Sequence, residues 1–366
     1  MAKSLFDFFP PPDYLLMPAV GLDISDRSVK FVELERKDSG FSVSKFGSRN
    51  LPPGIIESGE IKQKEKFVDF LKSIKEESGA KFVNVSLPEE KAFLSRIKIP
   101  ATKEEELRSI LEFQFEEHIP LPVQDAIFDF EVVKKEKVEE KEEFLSVNIV
   151  AFPKNLAESY RDAFEEAGLT PLAFEMEAYA FARVAIPKEE KKSCFLVDIG
   201  KTRATFAIVN KGVMQFASTI EIGGDNFDAA LAKNFGVSRL KAEEIKKERG
   251  LMRNKDNEKF FNFLLPVAAA IKDEISKHVI FWNSHLDDND GEKTISRIIL
   301  CGGEANLKGF SEYLSYELKL PVEISNPWVN LISFEKEIPE LELEESLSYA
   351  VAIGLSLRSF NGRKNG

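Results

Sequence analysis

The chain has 366 residues, more than one ordinary core accommodates, so two or more domains are expected. Its apolar share of 43% and charged share of 31% are those of a globular protein. A formal net charge of −12 argues against a general nucleic-acid binder, which needs a basic face for phosphate backbones. Cys194 and Cys301 are the only cysteines, each at the edge of an apolar run, which reads as two buried thiols in a reducing compartment. No apolar run is long enough to span a bilayer and the first residues do not read as a signal peptide, so a cytoplasmic protein is expected.

In chain order, Leu5, Phe6, Phe8 and Phe9 precede Pro10-Pro11-Pro12, then Tyr14, Leu15 and Leu16. This is an aromatic tail on a proline spacer, either disordered or locally packed, or else a docking peptide. Regular structure is expected from Ala19. Val20 to Ser25 and Val29 to Leu34 read as strands around the turn Asp26-Arg27-Ser28, and Phe41 to Arg49 as a third. Lys64 to Ser78 is an amphipathic helix stopped by Gly79, and Phe82 to Leu87 a buried strand.

Residues 90–176 then read as a self-contained β-α-β-β-α-β module set into a larger domain. Its strands are Phe93 to Ile99, Ile127 to Val133, Phe144 to Phe152 and Leu172 to Met176. One helix runs from a Thr102 cap to His118, another from Leu156 to Ala167. The charge run Lys134 to Glu143 is expected to be a solvated hairpin tip. After a charged linker at Lys188 to Lys192, Phe195 to Gly200 and Ala204 to Asn210 repeat the opening strand-turn-strand. A third strand, Gly212 to Ile222, ends in Gly223-Gly224; helices fill 226–285; Ile295 to Leu300 leads into Gly302-Gly303. Leu343 to Ser359 reads as one helix, with Ala350, Ala352 and Gly354 suited to close packing.

The chemistry lies in the repeat. Leu22 begins L-D-I-S-D-R-S-V-K-F and Val197 begins V-D-I-G-K-T-R-A-T-F; the Asp, Ile and Phe of each fall in identical register. One such hairpin is weak, because an Asp beside a turn usually only caps it. Two copies on opposite sides of a domain junction suit a polyphosphate clamp, since tight turns present successive N–H groups to phosphate oxygens. Glycine at a bend, as at Gly200, permits close approach. Asp23 and Asp198 then point carboxylates into the gap, where Mg²⁺ held through its waters fits. Gly302-Gly303 after a buried strand would let a flat adenosine lie against the main chain. Gly223-Gly224 precedes a helix start with Asp225 and Asp228.

This order of hairpin, connecting helix, hairpin, G-G-D-N-F-D and C-G-G resembles the actin, heat-shock chaperone and sugar-kinase ATPase superfamily. Within it, the chain is similar to the PilM/FtsA branch of pilus-assembly and cell-division proteins. The matching stretches include G-L-D-I-S-D-R-S-V-K-F-V-E-L, F-E-M-E-A-Y-A-F-A-R, L-V-D-I-G-K-T-R-A-T, I-G-G-D-N-F-D, L-K-A-E-E-I-K and S-Y-A-V-A-I-G-L, spread from Ala19 to Leu357. The resemblance implies an α/β, actin-like (ribonuclease H-like) two-domain ATPase fold with an inserted subdomain. It divides the chain into a tail, 1–18; subdomain 1A, 19–89 and 177–190 with the helix 343–359; the inserted subdomain 1C, 90–176; 2A, 191–225 and 294–342; and 2B, 226–293.

The resemblance also implies ATP with magnesium and a set of site residues. Asp23 and Asp198 are the metal-side aspartates. Ser25, Asp26, Arg27, Ser28 and Lys30 of the first hairpin, with Gly200, Lys201, Thr202 and Arg203 of the second, hold phosphates. Gly302 and Gly303 lie against the adenosine, Glu243 and Lys246 contact ribose and adenine, and Gly223, Gly224, Asp225 and Glu304 complete the cofactor-binding set. Glu177 matches the residue that orients the attacking water, with Glu175 as substitute, although Glu177 also suits a plain helix start. The alternative for Glu243 and Lys246 is a surface ion pair of little energetic weight. Ser25 stands where the family usually has glycine, which implies slow turnover. The implied partner is the short cytoplasmic tail of a PilN-like inner-membrane pilus protein, with a pilus assembly ATPase and self-association as further contacts. An FtsA-like membrane-tethering filament is the alternative, although the last residues, Ser359 to Gly366, carry no amphipathic anchor. A small-molecule kinase would need a base for which no His or Asp is evident.

Overall fold

The computed structural model describes residues 18–37, 40–138, 142–284, 294–332, 334 and 338–360. The aromatic tail, the tip of the charge run and the last six residues lie outside these.

The first half opens with β1 (Val20–Ile24), β2 (Ser28–Lys37) and β3 (Gly40–Asn50), an antiparallel meander. A tight hairpin follows, β4 (Ile56–Glu57) and β5 (Glu60–Ile61). Next come α1 (Lys64–Ser78) and β6 (Phe82–Leu87). Helix α1 buries Phe67, Val68, Leu71 and Ile74 on one face and stops at Gly79, whose φ of 71° only glycine adopts freely.

The inserted module is β7 (Phe93–Pro100), α2 (Glu104–His118), β8 (Ala126–Val138) and β9 (Glu142–Pro153). Its antiparallel sheet, in order β7-β9-β8, packs against Leu107, Leu111 and Phe115 of α2 in a core of its own. The strands run through most of the charge run, with Val138 opposite Glu142. Thr102 does not cap α2: Lys103 holds that position, and the Thr102 hydroxyl bonds the Glu106 carboxylate instead, at 2.7 Å.

Residues 90–176 therefore do not close on themselves as expected. Helix α3 (Lys154–Glu166) and strand β10 (Thr170–Met176) return to the first half. Leu156, Ala157, Tyr160, Ala163 and Phe164 of α3 belong to the core built by β1, β6 and α1. Strand β10 pairs parallel with β6, giving the order β10-β6-β1-β2-β3. The physical reason is that a parallel pair needs a helical crossover. Here α3 is that crossover for β6 and β10, and the β7–β9 module is a detour within it.

After α4 (Glu177–Ala185), the second half repeats the scheme. It contains β11 (Ser193–Ile199), β12 (Ala204–Asn210), β13 (Val213–Ile220), α5 (Gly224–Phe235), α6 (Arg239–Arg249), α7 (Glu258–Ser284), β14 (Ile295–Cys301), α8 (Phe310–Leu318) and β15 (Val322–Ile324). Its sheet order, β13-β12-β11-β14-β15, matches β3-β2-β1-β6-β10 strand for strand, with the same parallel and antiparallel pairings. Cys194 and Cys301 are buried free thiols in this half.

The C-terminal helix is broken rather than continuous. Helix α9 (Leu343–Ser346) gives way to a 3-10 turn before α10 (Ala350–Arg358). The break turns the Leu347 carbonyl toward Gly302 N–H and the Cys301 thiol, which both donate to it. Helix α10 is buried along most of its length and packs on α4 and β1 through small residues. A Cβ on Gly354 would lie 2.0 Å from the Ala180 carbonyl oxygen, and one on Gly21 2.0 Å from that of Ala352.

Candidate nucleotide site

The two hairpins present their aspartates as the register requires. Asp23, next to last in β1, lies opposite Lys30 of β2, and Asp198, next to last in β11, lies opposite Thr205 of β12. Their turns differ. In the first, Ser25 Oγ donates to the Ser28 carbonyl at 3.0 Å and accepts the N–H groups of Ser28 at 3.1 Å and Arg27 at 3.4 Å. The hydroxyl closes its own turn rather than facing a ligand. Both turns are closed by the same backbone bond, Ser25 N–H to the Ser28 carbonyl and Gly200 N–H to the Arg203 carbonyl, each at 2.9 Å, but in the second Gly200 adds no side-chain bonds beneath Lys201 and Thr202.

The glycine that close approach demands is Gly223, not Gly200. A Cβ on Gly223 would sit 2.6 Å from Gly200 O and 2.7 Å from Arg203 N, whereas one on Gly200 would meet only Arg203 O at 3.5 Å. This contact seats the start of α5 on the second hairpin: Gly224 N–H donates to Gly200 O and Asp225 N–H to Lys201 O. Gly302, with φ of 82°, lets Asp198 pass, since a Cβ there would fall 2.3 Å from Asp198 Oδ1. Beside it, Gly303 faces open space, with nothing within 4 Å of where its Cβ would be.

Four carboxyl groups crowd the base of the site, Glu89 buried and Asp23, Glu177 and Asp198 half-buried. Burial holds Asp23 above its ordinary value, against the pull of Lys30 and of the Ser86 hydroxyl bonded to it at 3.2 Å. Burial and the neighbouring Asp23 push Asp198 up to about 7. Glu177, first residue of α4, lies well above the carboxylate range because it is desolvated close to Asp23 and Glu89. Glu89 is pushed up to about 8 by burial, although Ala178 N–H donates to its Oε2; its Oε1 has no partner among the described residues. Sequence reasoning missed Glu89. Its only signal is a Glu-Glu pair after the proline that ends a buried strand.

Arg203 reaches from the second hairpin to the first half. It pairs with Asp26 at 2.7 Å and with Glu90. Asp26 also accepts the N–H groups of Ser58 and Gly59 in the β4–β5 turn. Arg27 lies 3.7 Å from Asp225 in the opposite sense. Asp26, Arg27, Arg203 and Asp225, expected around the nucleotide, thus also fasten the halves to each other.

On the nucleoside side, Glu243 and Lys246 do not pair with each other. Lys246, only 3% exposed, is held between Asp228 at 3.0 Å and Glu304 at 2.7 Å, while Glu243 pairs with Lys201 and Lys247 near the surface. Glu175 cannot substitute for Glu177, because Arg183 and Arg358 occupy its carboxylate. Replacing Lys246 with alanine would leave two buried carboxylates without their cation. We expect a loss of about 3–5 kcal/mol, read as a lower denaturant midpoint; a midpoint unchanged within error would remove the triad from the account.

These features invite comparison with known proteins. The profile of the family described as Type IV pilus assembly protein PilM matches residues 21–360. The chain belongs to the PilM family. A solved PilM-PilN type IV pilus biogenesis complex is 23% identical and superposes with a TM-score of 0.78, covering 94% of this chain and 98% of that one. MreB5 of Spiroplasma citri, solved bound to ADP, is 16% identical at a TM-score of 0.53, covering 94% of this chain and 98% of that chain. The cell-division protein FtsA of Staphylococcus epidermidis (strain ATCC 35984) is 22% identical over 354 residues, 84% of this chain and 74% of that protein. The fold is thus the mixed α/β, actin-like one that the repeated hairpins suggested. Among the described residues no helix is long and apolar enough to cross a membrane.

Proposed function

We propose that this type IV pilus assembly protein binds ATP with Mg²⁺ between its two hairpins and acts as a cytoplasmic scaffold at the inner membrane. The observation that carries the reading is the pair of half-buried aspartates, Asp23 and Asp198, in identical register on two pseudo-equivalent strands. Crowded carboxylates raised by burial and mutual repulsion fit a divalent cation, which relieves the cost of their charge. The open face of Gly303 fits a flat nucleoside, and the turn of Lys201 and Thr202 fits phosphate oxygens. Bound there, Mg²⁺-ATP would supply a ligand that both halves grip. Asp23 and Asp198 would hold the metal through its waters, and Glu177, at the start of α4, would orient a water. The first turn, tied up by Ser25, suits a structural nucleotide with slow turnover.

The solved relative is a complex with PilN, which supports an inner-membrane partner of that kind. In this reading a short tail of a PilN-like protein lies in the crease where the inserted module meets the first half. A free peptide should bind at micromolar affinity or weaker, with membrane tethering raising its effective concentration. The test is titration of candidate tails against the full chain and a form lacking the module. Because α3 and β10 belong to the first half, the excision must stop before Lys154. Undiminished binding by the folded, excised form would place the tail elsewhere.

A further inference from the structure

The inserted module is covalently part of the first half, yet its side chains also grip the second. Arg96 on β7 donates through Nη2 to the Met214 carbonyl at 2.8 Å and pairs through Nη1 with the Gln215 side chain. Asn148 on β9 donates to the same Met214 carbonyl at 2.9 Å and accepts Arg96 Nε at 2.8 Å. Met214 lies near the start of β13, whose other end leads to Gly223 and the second hairpin.

The root of the module is held from both sides as well. Glu89 and Glu90 fill the 3-10 turn just before β7. Glu89 takes the N–H of Ala178 at the start of α4, and Glu90 takes Arg203 from the second hairpin. Leu94 of β7 and Tyr179 pack against both large hydrophobic cores.

We propose that the module is a strut across the nucleotide cleft: Arg96 and Asn148 on the Met214 carbonyl, with Glu90 on Arg203, make the angle between the halves and the orientation of the module one variable. The inference rests on the nucleotide reading and adds how that site is regulated. If the halves rotate, the module cannot follow its covalent root and keep its hold on Met214. A ligand that selects one inter-half angle therefore selects one module orientation, and an occupant of the module acts back on the nucleotide equally. Arg203 belongs to the phosphate site, but none of Arg96, Asn148 or Met214 does, so the Met214 arm of the coupling is separable from binding.

The test is hydrogen exchange on the full chain with and without saturating Mg²⁺-ATP, in wild type, in Arg96→Met, and in Arg96→Met with Asn148→Ala. Arg96→Met keeps the apolar stem and removes the guanidinium, so it stands as the primary variant should the buried Asn148 prove necessary for folding. In wild type, nucleotide should slow exchange at both hairpins and, by about fivefold or more, along β7 and β9, in line with usual coupling strengths. In Arg96→Met the hairpins should stay protected while the module response falls below about twofold. An equal module response in the variant overturns the strut, and so does a silent module in wild type whose hairpins are protected. Absence of binding and protection everywhere overturns the nucleotide reading and this coupling with it.

Discussion

Asp198→Ala is expected to weaken Mg²⁺-dependent ATP binding about 30- to 150-fold, the effect of losing one charge-assisted ligand contact of roughly 2–3 kcal/mol. In chelator, where the metal no longer joins phosphate to carboxylate, the variant and the wild type should differ little. The apo protein should respond in the opposite sense. Desolvation and the neighbouring Asp23 push half-buried Asp198 up to about 7, so its negative charge is costly at neutral pH. The neutral variant Asp198→Asn should therefore melt higher than wild type without nucleotide, as sites that trade stability for function do. Titrations with and without Mg²⁺ and thermal melts of the apo forms read both effects. Equal affinity in Asp198→Ala, with metal present, would remove the residue from the site.

Gly354→Val should abolish folding rather than trim it. The new Cβ would fall 2.0 Å from the Ala180 carbonyl oxygen and 2.6 Å from its carbon, both backbone atoms of α4. Helix α10 cannot retreat, because its other face is pressed on β1, where Gly21 leaves no room for a Cβ either. Leu34 N–H and the Asn84 side chain further bind α10 through Ser356 and the Leu355 carbonyl. Overpacking against main chain on both sides should cost more than about 4 kcal/mol, beyond ordinary core substitutions. Insoluble protein or loss of a cooperative melt is the expected result. A soluble variant melting within a few degrees of wild type would mean that α4 and α10 are not packed this way.

Much of this was legible in the residues because it depends on short-range pattern. The repeated Asp-Ile…Phe register located both hairpins, and helix α1 has the bounds that its apolar spacing and Gly79 indicated. What could not be read depended on contacts between distant segments. The alternation of strands and helices through Met176 looks the same whether β10 closes the small sheet or joins β6; the choice lies in whether Phe164 meets Phe115 or Phe67, and it meets Phe67. That Lys246 does not pair with Glu243 was not readable from its largely charged helix, because Asp228 and Glu304 come from elsewhere to bury it. Ser25 was readable as a departure from glycine, but its hydroxyl's bonds to its own turn were not. Glu89 had no readable role until the turn before β7 placed it against the first residues of α4.

The most direct test of the account is an equilibrium titration of the full wild-type chain with a fluorescent ATP analogue, in Mg²⁺ and in chelator, followed by displacement with unlabelled ATP. Two facing hairpins with one aspartate each predict saturable one-to-one binding that ATP reverses and that weakens markedly when the metal is removed. Binding indifferent to Mg²⁺, or none up to millimolar nucleotide, would contradict the claim that Asp23 and Asp198 frame a magnesium-nucleotide site.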